Sequence, residues 1–451
     1  MKRVWGWLVL GFMLIWPSLS WAATDAEELI QLLKAKGVLT QEEVNTLQTR
    51  VKEREKKEKT LQAFYKDGFQ VQTADKSFEM KVGGRVQADY LVLDSNNNAN
   101  DGSFSLRGIR IESEGKLFKH TKFKAQLDMG EGKDANLKDG YLNFDYLKWA
   151  QLKIGQYKEP FSLEELTSSR HIDFLERSAV VTNLAPSRDL GVMLHSELWE
   201  GTLGYGLGIF NGSGSNQKRD QNDDKDLAGR FYVRPFAQNK SRWLKGLQFA
   251  GNFTWGNQEG GLKNLQSPVS ETPLARWANG VTSDDRRTRL GADLAWVIGP
   301  FSLKTEYIRT DWKDLQRAGQ REDLDAHGWY VTLSYFLTGE EKPYKEGAFT
   351  RLKQVQGVFN PFNHEGKGWH WGAWELLARY DTLRVDDKAF DLGFATGTDR
   401  VNTLTMGLNW YPHNMVVVKF NYVHNDFADD LGALKGDDQE DLFLTRFQVE
   451  F

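Results

Sequence analysis

LFLTRFQVEF, residues 442–451, ends the chain. Successive side chains of a strand point to opposite sides. Phe443, Phe447, Val449 and Phe451 therefore share one face, and Arg446, Gln448 and Glu450 share the other. Working back from this ribbon, the period of two continues to about residue 69. Leu404, Met406, Leu408 and Trp410 alternate with Thr405, Gly407 and Asn409. Leu247, Phe249, Phe253 and Trp255 alternate with Gln248, Asn252 and Thr254, and Phe123, Ala125 and Leu127 alternate with Lys122, Lys124, Gln126 and Asp128. In each case the polar side is too polar for a protein core. A β-sandwich would alternate in the same way but gives no reason for Trp and Tyr at strand ends.

The other end of the chain supplies the compartment. Lys2 and Arg3 precede a mostly apolar run from Val4 to Trp16, then Pro17 and Ser20-Trp21-Ala22. This reads as a signal peptide over residues 1–22, cleaved after Ala22; the alternative is an N-terminal anchor helix. Losing Lys2 and Arg3 takes the net charge from −4 to −6. There are no cysteines, which removes disulfides, thiol nucleophiles and thiolate metal sites. Beyond residue 22 no apolar run reaches the roughly 18 residues of a helical span, and mean hydropathy is −0.56. Yet 13% of residues are aromatic, 16 of them Trp. A transmembrane barrel reconciles these facts, because its outer face is apolar with aromatic girdles and its lumen is polar. The terminal Phe451 is similar to the assembly signal of bacterial outer-membrane barrels.

Three regions follow: the signal peptide at 1–22, a periplasmic helical or coiled-coil-like segment at 23–67, and an all-β transmembrane barrel at 68–451. In the second, Leu29, Leu32, Leu33, Leu39, Val44 and Leu47 show helical spacing, Gly37 breaks the run, and Thr40 with Glu43 matches a capping box. KEREKKEKT (52–60) is a charged helix or linker. The segment is either a hairpin that helps assemble oligomers or a flexible spacer; its apolar pattern spans too few heptads to choose.

The barrel region is predicted to hold sixteen antiparallel strands, an even number as single-chain bacterial barrels require. Short links fall at Leu117–His120, Lys148–Ala150, Trp199–Glu200, Gly299–Pro300 and Pro412-His413. The links after the first, third, fifth, seventh, ninth and eleventh strands are predicted to be long and external. Residues 339–368 break this rule, being long where a short periplasmic turn belongs.

The fifth strand leads into a dense external link, residues 159–188. Arg170, His171, Arg177 and Arg188 lie there beside Glu159, Glu164, Glu165, Asp173 and Glu176. The run LKIGQYKEPFSLEELTSSRHIDFLERS (152–178) resembles the phosphate- and polyphosphate-selective porins O and P. So do FEMKVGGRVQADY (78–90), RDLGVMLHS (188–196), YVTLSYFLTGE (330–340) and GAWELLARYD (372–381), in order along the barrel. The resemblance implies a homotrimer of sixteen-stranded barrels set in outer-membrane lipid, each with a constricted, anion-favouring pore.

In the phosphate-specific members two adjacent arginines open the second strand, joined by a lysine of the third loop and an aspartate. Arg107-Gly108 stands where that pair would be, so one arginine is missing, and Arg110, which shares a face with Glu112 and Glu114, is the candidate to compensate. The loop lysine corresponds to Arg170, the aspartate to Asp139 and a strand lysine to Lys122; another loop lysine becomes Glu165. The arginine ladder of the fifth loop is absent, since SPVSETPLARWANGVTSDD (267–285) offers Arg276 alone. Arg85, Arg107, Arg110, Lys122 and Arg170 are thus expected to attract small anionic solutes, phosphate among the candidates. Asp139 is expected to moderate that attraction or to hold an arginine. Fixed charge concentrates counter-ions in a pore. The alternative for each residue is a wall charge paired with a cross-strand neighbour.

Other chemistry finds little support. Asp94, Asn96 and Asn98 imitate a calcium loop, but Ala99 and Ser105 hold the positions needing Gly and Glu; Asp220, Asn222 and Asp224 fail likewise at Lys225 and Phe231. His364 and His370 lack a third ligand. No phosphate-cradling loop, cofactor motif or basic stripe for nucleic acid is present. Ser168, Ser169, His171 and Asp173 form the one enzyme-like cluster. Two rival readings keep the architecture: a barrel hydrolase using His171, and a structural or adhesive barrel whose residues 25–66 contact the cell wall.

Overall fold

The computed structural model describes residues 22–58, 60–94, 102–130, 135–217, 224–283, 285–352, 355, 371–429 and 438–451. The leader, His364, His370 and most of the two calcium-loop imitations lie outside the described residues. There are two compact units, one up to Phe64 with Val71–Glu79, the other Tyr65–Gln70 with Met80–Phe451.

The first unit holds helices α1 (Ala22–Ala35) and α2 (Gln41–Glu58). Gly37, at φ +67°, turns the chain between them. Thr40 and Glu43 form the reciprocal capping box: Glu43 N donates to Thr40 Oγ1 at 3.3 Å and Thr40 N to Glu43 Oε2 at 2.8 Å. Ile30 and Val44 are buried. Short strands Leu61–Tyr65 and Phe69–Thr73 follow.

The second unit is a closed barrel of sixteen antiparallel strands. They are β1 (Phe78–Asp94), β2 (Ser103–Leu117), β3 (Thr121–Asp128), β4 (Asn136–Leu147), β5 (Ala150–Lys158), β6 (Arg188–Leu198), β7 (Leu203–Phe210) and β8 (Asp226–Val233). The second half comprises β9 (Leu247–Asn257), β10 (Arg286–Ile298), β11 (Phe301–Arg317), β12 (Gln320–Phe336), β13 (Ala373–Val385), β14 (Arg400–His413), β15 (Val416–Phe427) and β16 (Gln439–Glu450). Closure removes every sheet edge. The closing pair sets Phe447 opposite Ala88 and Glu450 opposite Arg85.

On β16 the expected faces appear: Phe443 and Phe447 are 52% and 54% exposed, while Arg446 is 1% exposed. Arg446, Gln448 and Glu450 do point into the lumen, but they meet protein rather than open water, because a loop packs on them. Trp374 and Trp410 stack at 5.6 Å near the periplasmic end, and both indoles donate to the carbonyl of Trp371. This is a piece of aromatic girdle.

Two links differ from expectation. The eleventh is a tight hairpin at Ala318-Gly319, with φ of +49° and +86°, not a long loop. Two consecutive positive-φ residues match the right-handed twist of the strands they join, so β11 and β12 run on for 17 residues each. The turn after β14 falls at Asn414-Met415, since an irregularity between Trp410 and His413 carries the strand past Pro412. The long stretch after β12 is a real insertion.

Candidate functional site

The link after β5, here called L3 (residues 159–187), folds into the lumen. Ser162, at φ +62°, and Ser178 cap the short helical turns Leu163–Leu166 and Ala179–Leu184 with their hydroxyls. Glu164 ties the two turns, its Oε2 accepting from Ser178 N at 3.0 Å and Ser178 Oγ at 3.1 Å. Val180, Val181 and Leu184 then pack with Ile308, Tyr330 and Leu383 of the wall, and with Leu265 and Leu274 of the link after β9 (L5). Asn183 and Gln266 exchange two hydrogen bonds of 2.9 Å, so L5 lies on L3.

Wall residues fasten L3 to one strand after another. Glu306 of β11 accepts the backbone N–H of Leu163 at 3.0 Å and of Glu164 at 2.7 Å, and Lys304 pairs with Asp173. Asp381 of β13 accepts from Ala179 N at 3.1 Å. Lys419 of β15 donates to the carbonyls of Ile172 and Phe174, and Asn421 accepts from Leu175 N at 2.8 Å. Arg446 of β16 donates to Leu175 O and pairs with both Glu176 and Asp89. Arg107 of β2 grips Glu176 with two bonds of 2.7 and 3.1 Å. Burial alone would raise the Glu176 carboxyl, but Arg107 and Arg446 outweigh it and hold the group at about 2. These fastenings run from β11 across the barrel seam to β2.

The tip of L3 meets that seam. Arg85 Nη2 donates to Ser169 Oγ at 2.7 Å, and Arg110 Nη1 reaches the same hydroxyl at 3.5 Å. Asp128 holds Arg110 Nε at 2.5 Å. Arg170 Nη2 lies 2.5 Å from Glu112 Oε1, and its Nη1 is 3.7 Å from Glu450. Glu112 also pairs with Lys124 at 3.1 Å. Arg85 is 2% exposed and forms no ion pair among the described residues. Its Nε, like that of Arg170, is buried without a hydrogen-bond partner.

A second segment approaches from the periplasmic side. The connection between β12 and β13 is described through Leu352, and it forms a small hairpin, Tyr344–Lys345 against Ala348–Phe349. Phe349 packs with Leu163 of L3 and with Ala295 and Val297. Lys342 lies 2.5 Å from Asp173 and 2.6 Å from Glu375, and Arg351 pairs with Glu450 at 2.7 Å.

The expected residues separate into groups. Arg85, Arg110 and Arg170 come together around Ser169. Arg107 stands apart, clamped on Glu176 and 35% exposed at its side chain. Asp139 holds an arginine, as one reading proposed, and that arginine is Arg188, at 2.7 Å. Lys122 is not brought to the group; it pairs with Asp145 at 2.9 Å beside the Phe118–His120 turn. Sequence reasoning missed Asp128, Lys342 and Arg351, and set Ser169 in the enzyme-like cluster rather than beside the arginines. The signal for Lys342 was its place in a periplasmic link too long for a turn. Arg276 of L5 is exposed on strand Pro273–Trp277.

Comparison with known proteins agrees with this architecture. The family described as phosphate-selective porin O and P matches residues 80–451. Porin O of Pseudomonas aeruginosa is 29% identical over 425 residues, 86% of this chain and 91% of that protein. An uncharacterized protein of Caulobacter vibrioides is 25% identical over 390 residues, 83% of this chain and 73% of that protein. The outer membrane channel DcaP of Acinetobacter baumannii shares the fold with a TM-score of 0.52 at 10% identity, over 85% of this chain and 99% of its own. OmpT of Vibrio cholerae does so with a TM-score of 0.52 at 10% identity, over 83% and 98%. With its sixteen-stranded barrel and its lumen narrowed by L3, the chain belongs to the phosphate-selective porin O and P family and is an outer-membrane channel.

Proposed function

We propose that this channel favours small anions, inorganic phosphate among them, and holds them weakly where Arg85, Arg110 and Arg170 converge at Ser169. One observation carries the reading: Arg85 is buried with a hydroxyl as partner and no carboxylate pair. Asp128 and Glu450 act on Arg85 only through space; a buried guanidinium without a direct ion pair is costly, and a passing anion supplies one. Asp128, Glu112 and Glu450 neutralise the neighbouring cations, which keeps residence short, as conduction requires. Arg107 and Lys122 add positive potential along the wall, and Asp139 fixes Arg188. The outer funnel is weak, because L5 carries a single arginine, Arg276, and one lysine, Lys263, and the chain is net negative.

In this reading residues 1–22 direct export, 23–67 form a periplasmic segment whose helices end at Glu58, and 68–451 form the barrel, three of which assemble in lipid as a trimer. Passage is passive rather than catalytic. The His171 ring lies 3.6 Å from Glu450, and the Ser168 hydroxyl accepts from Arg170 N at 3.4 Å, which does not favour a serine nucleophile activated by that histidine. The test is the reversal potential of single channels in a salt gradient, followed by added phosphate. Anion selectivity with block at about millimolar phosphate supports the reading. Cation selectivity, or chloride current indifferent to phosphate, overturns it.

A further inference from the structure

The register of β11–β14 lines up four basic side chains in one cross-strand row. Arg309 lies opposite His327, His327 opposite Arg384, and Arg384 opposite Arg400. Their neighbours along the strands, Ile308, Ala326, Leu383 and Val401, belong to the buried cluster inside the barrel. Alternation therefore turns all four basic residues outward. Three strand spacings make the row about 14 Å wide. It sits at the external ends of β13 and β14 and midway along β11 and β12, which continue outward to the Ala318-Gly319 hairpin.

The row is placed at a membrane boundary. Two residues nearer the periplasm on β11 and β12 come Tyr307 opposite Trp329, and Trp329 stacks obliquely on Tyr380 at 5.7 Å. Below these lie exposed Leu333, Tyr335 and Met406. Aromatic residues of this kind mark the level of lipid headgroups, so the row lies just outside the hydrocarbon.

The charges are unevenly satisfied. Arg309 is paired with Asp311 at 2.8 Å and Asp325 at 3.4 Å, and His327 with Asp325 at 3.1 Å. Arg384 and Arg400 face each other with no ion pair among the described residues, and Arg400 Nε is buried without a partner. Like charges directly opposite in a sheet destabilise it unless an anion lies between them. Planar guanidinium forks match phosphate oxygens, and the headgroups at this depth are its natural source.

We propose that Arg384 and Arg400 bind a phosphate group of a phosphorylated glycolipid in the outer leaflet, with the Tyr307–Trp329–Tyr380 surface beneath them receiving its acyl chains. The site is on the outer wall and independent of the anion site in the lumen.

Native mass spectrometry of the full barrel in detergent tests this, using lipid A and enzymatically dephosphorylated lipid A as probes. The unaltered protein is expected to retain the phosphorylated form roughly tenfold better. In Arg384→Gln/Arg400→Gln that preference disappears while single-channel conductance is unchanged. Equal retention of the two lipids by the unaltered protein overturns the proposal, and this arm needs no variant to fold. Full displacement of the lipid by inorganic phosphate at equal concentration would also overturn it, since the site would then be one for the ion. So would disulfide linkage of two barrels through Arg384→Cys, because the face would then be covered by a second copy.

Discussion

Lys342 Nζ lies 2.5 Å from Asp173 Oδ1, which joins the periplasmic insertion to the inward-folded third loop. Lys304 holds the other oxygen of the same carboxylate, and Lys342 also reaches Glu375. Two lysines and two carboxylates thus form a closed buried set between wall, loop and insertion. Such a set contributes little net stability when complete, but removing one member leaves a buried charge uncompensated.

Lys342→Met is therefore expected to lower stability by about 3 kcal/mol. It should also loosen L3, so single-channel current becomes larger and noisier. A quiet channel of unaltered conductance, with the thermal midpoint lowered, would mean that the insertion stabilises the barrel without holding L3.

Selectivity should respond with opposite signs to two neutralisations around the L3 tip. Arg85→Gln removes the cation without an ion pair and should shift the reversal potential toward cations. Glu112→Gln removes the partner of Arg170 and Lys124, and should shift it toward anions while strengthening phosphate block by up to about tenfold. Shifts in the same direction from both variants would refute the electrostatic account.

Acid should release L3 in a predictable window. Burial raises Asp173 and Glu176, but Lys304 with Lys342, and Arg107 with Arg446, outweigh it, so both carboxyls lie below their ordinary range. A depressed carboxyl contributes stability that is complete above the unfolded value near 4. That contribution is lost as pH falls through the folded value, about 2 for Glu176. Current noise should stay flat from neutrality down to about pH 5 and rise between about 4 and about 2. A rise already present between neutrality and about pH 5 would instead implicate His171, whose buried ring is held below the ordinary imidazole value of about 6.5.

The barrel was legible because the period of two repeats through the strands and survives any local error. Arg85, Arg110 and Arg170 were legible as residue types at positions matching a family. Their partners were not, since Asp128 reaches Arg110 by strand pairing while Ser169 and Glu450 arrive by loop folding and barrel closure. The partner of Lys122 was hidden for the same reason: its family position fits a pore site, while Asp145, near the next turn, pairs with it. The insertion was visible as a length anomaly. Its contacts were not, because Lys342 lies 169 residues from Asp173 and the segment has no alternation to orient it. The Ala318-Gly319 hairpin could have been read, had β11 and β12 been extended past their polar outer ends.

The seam supplies the last test. Gly84 N donates to Phe451 O at 2.9 Å and Phe451 N to Gly84 O at 3.1 Å, so the closing ladder runs to the final residue. A Cβ on Gly84 would stand 2.6 Å from both the carbonyl oxygen of Arg110 and the Phe451 ring. The first is backbone of β2 and the second is held by the ladder, so neither yields cheaply. Gly84→Val should therefore impede pairing of β1 with β16 and leave exposed strand edges. The expected outcome is a large fall in the fraction of folded, heat-modifiable barrel recovered from outer membranes. Gly251→Ala serves as control, because nothing lies within 4 Å of the place its methyl group would take. If Gly84→Val yields as much folded barrel as the control, the terminal pair is not required for closure.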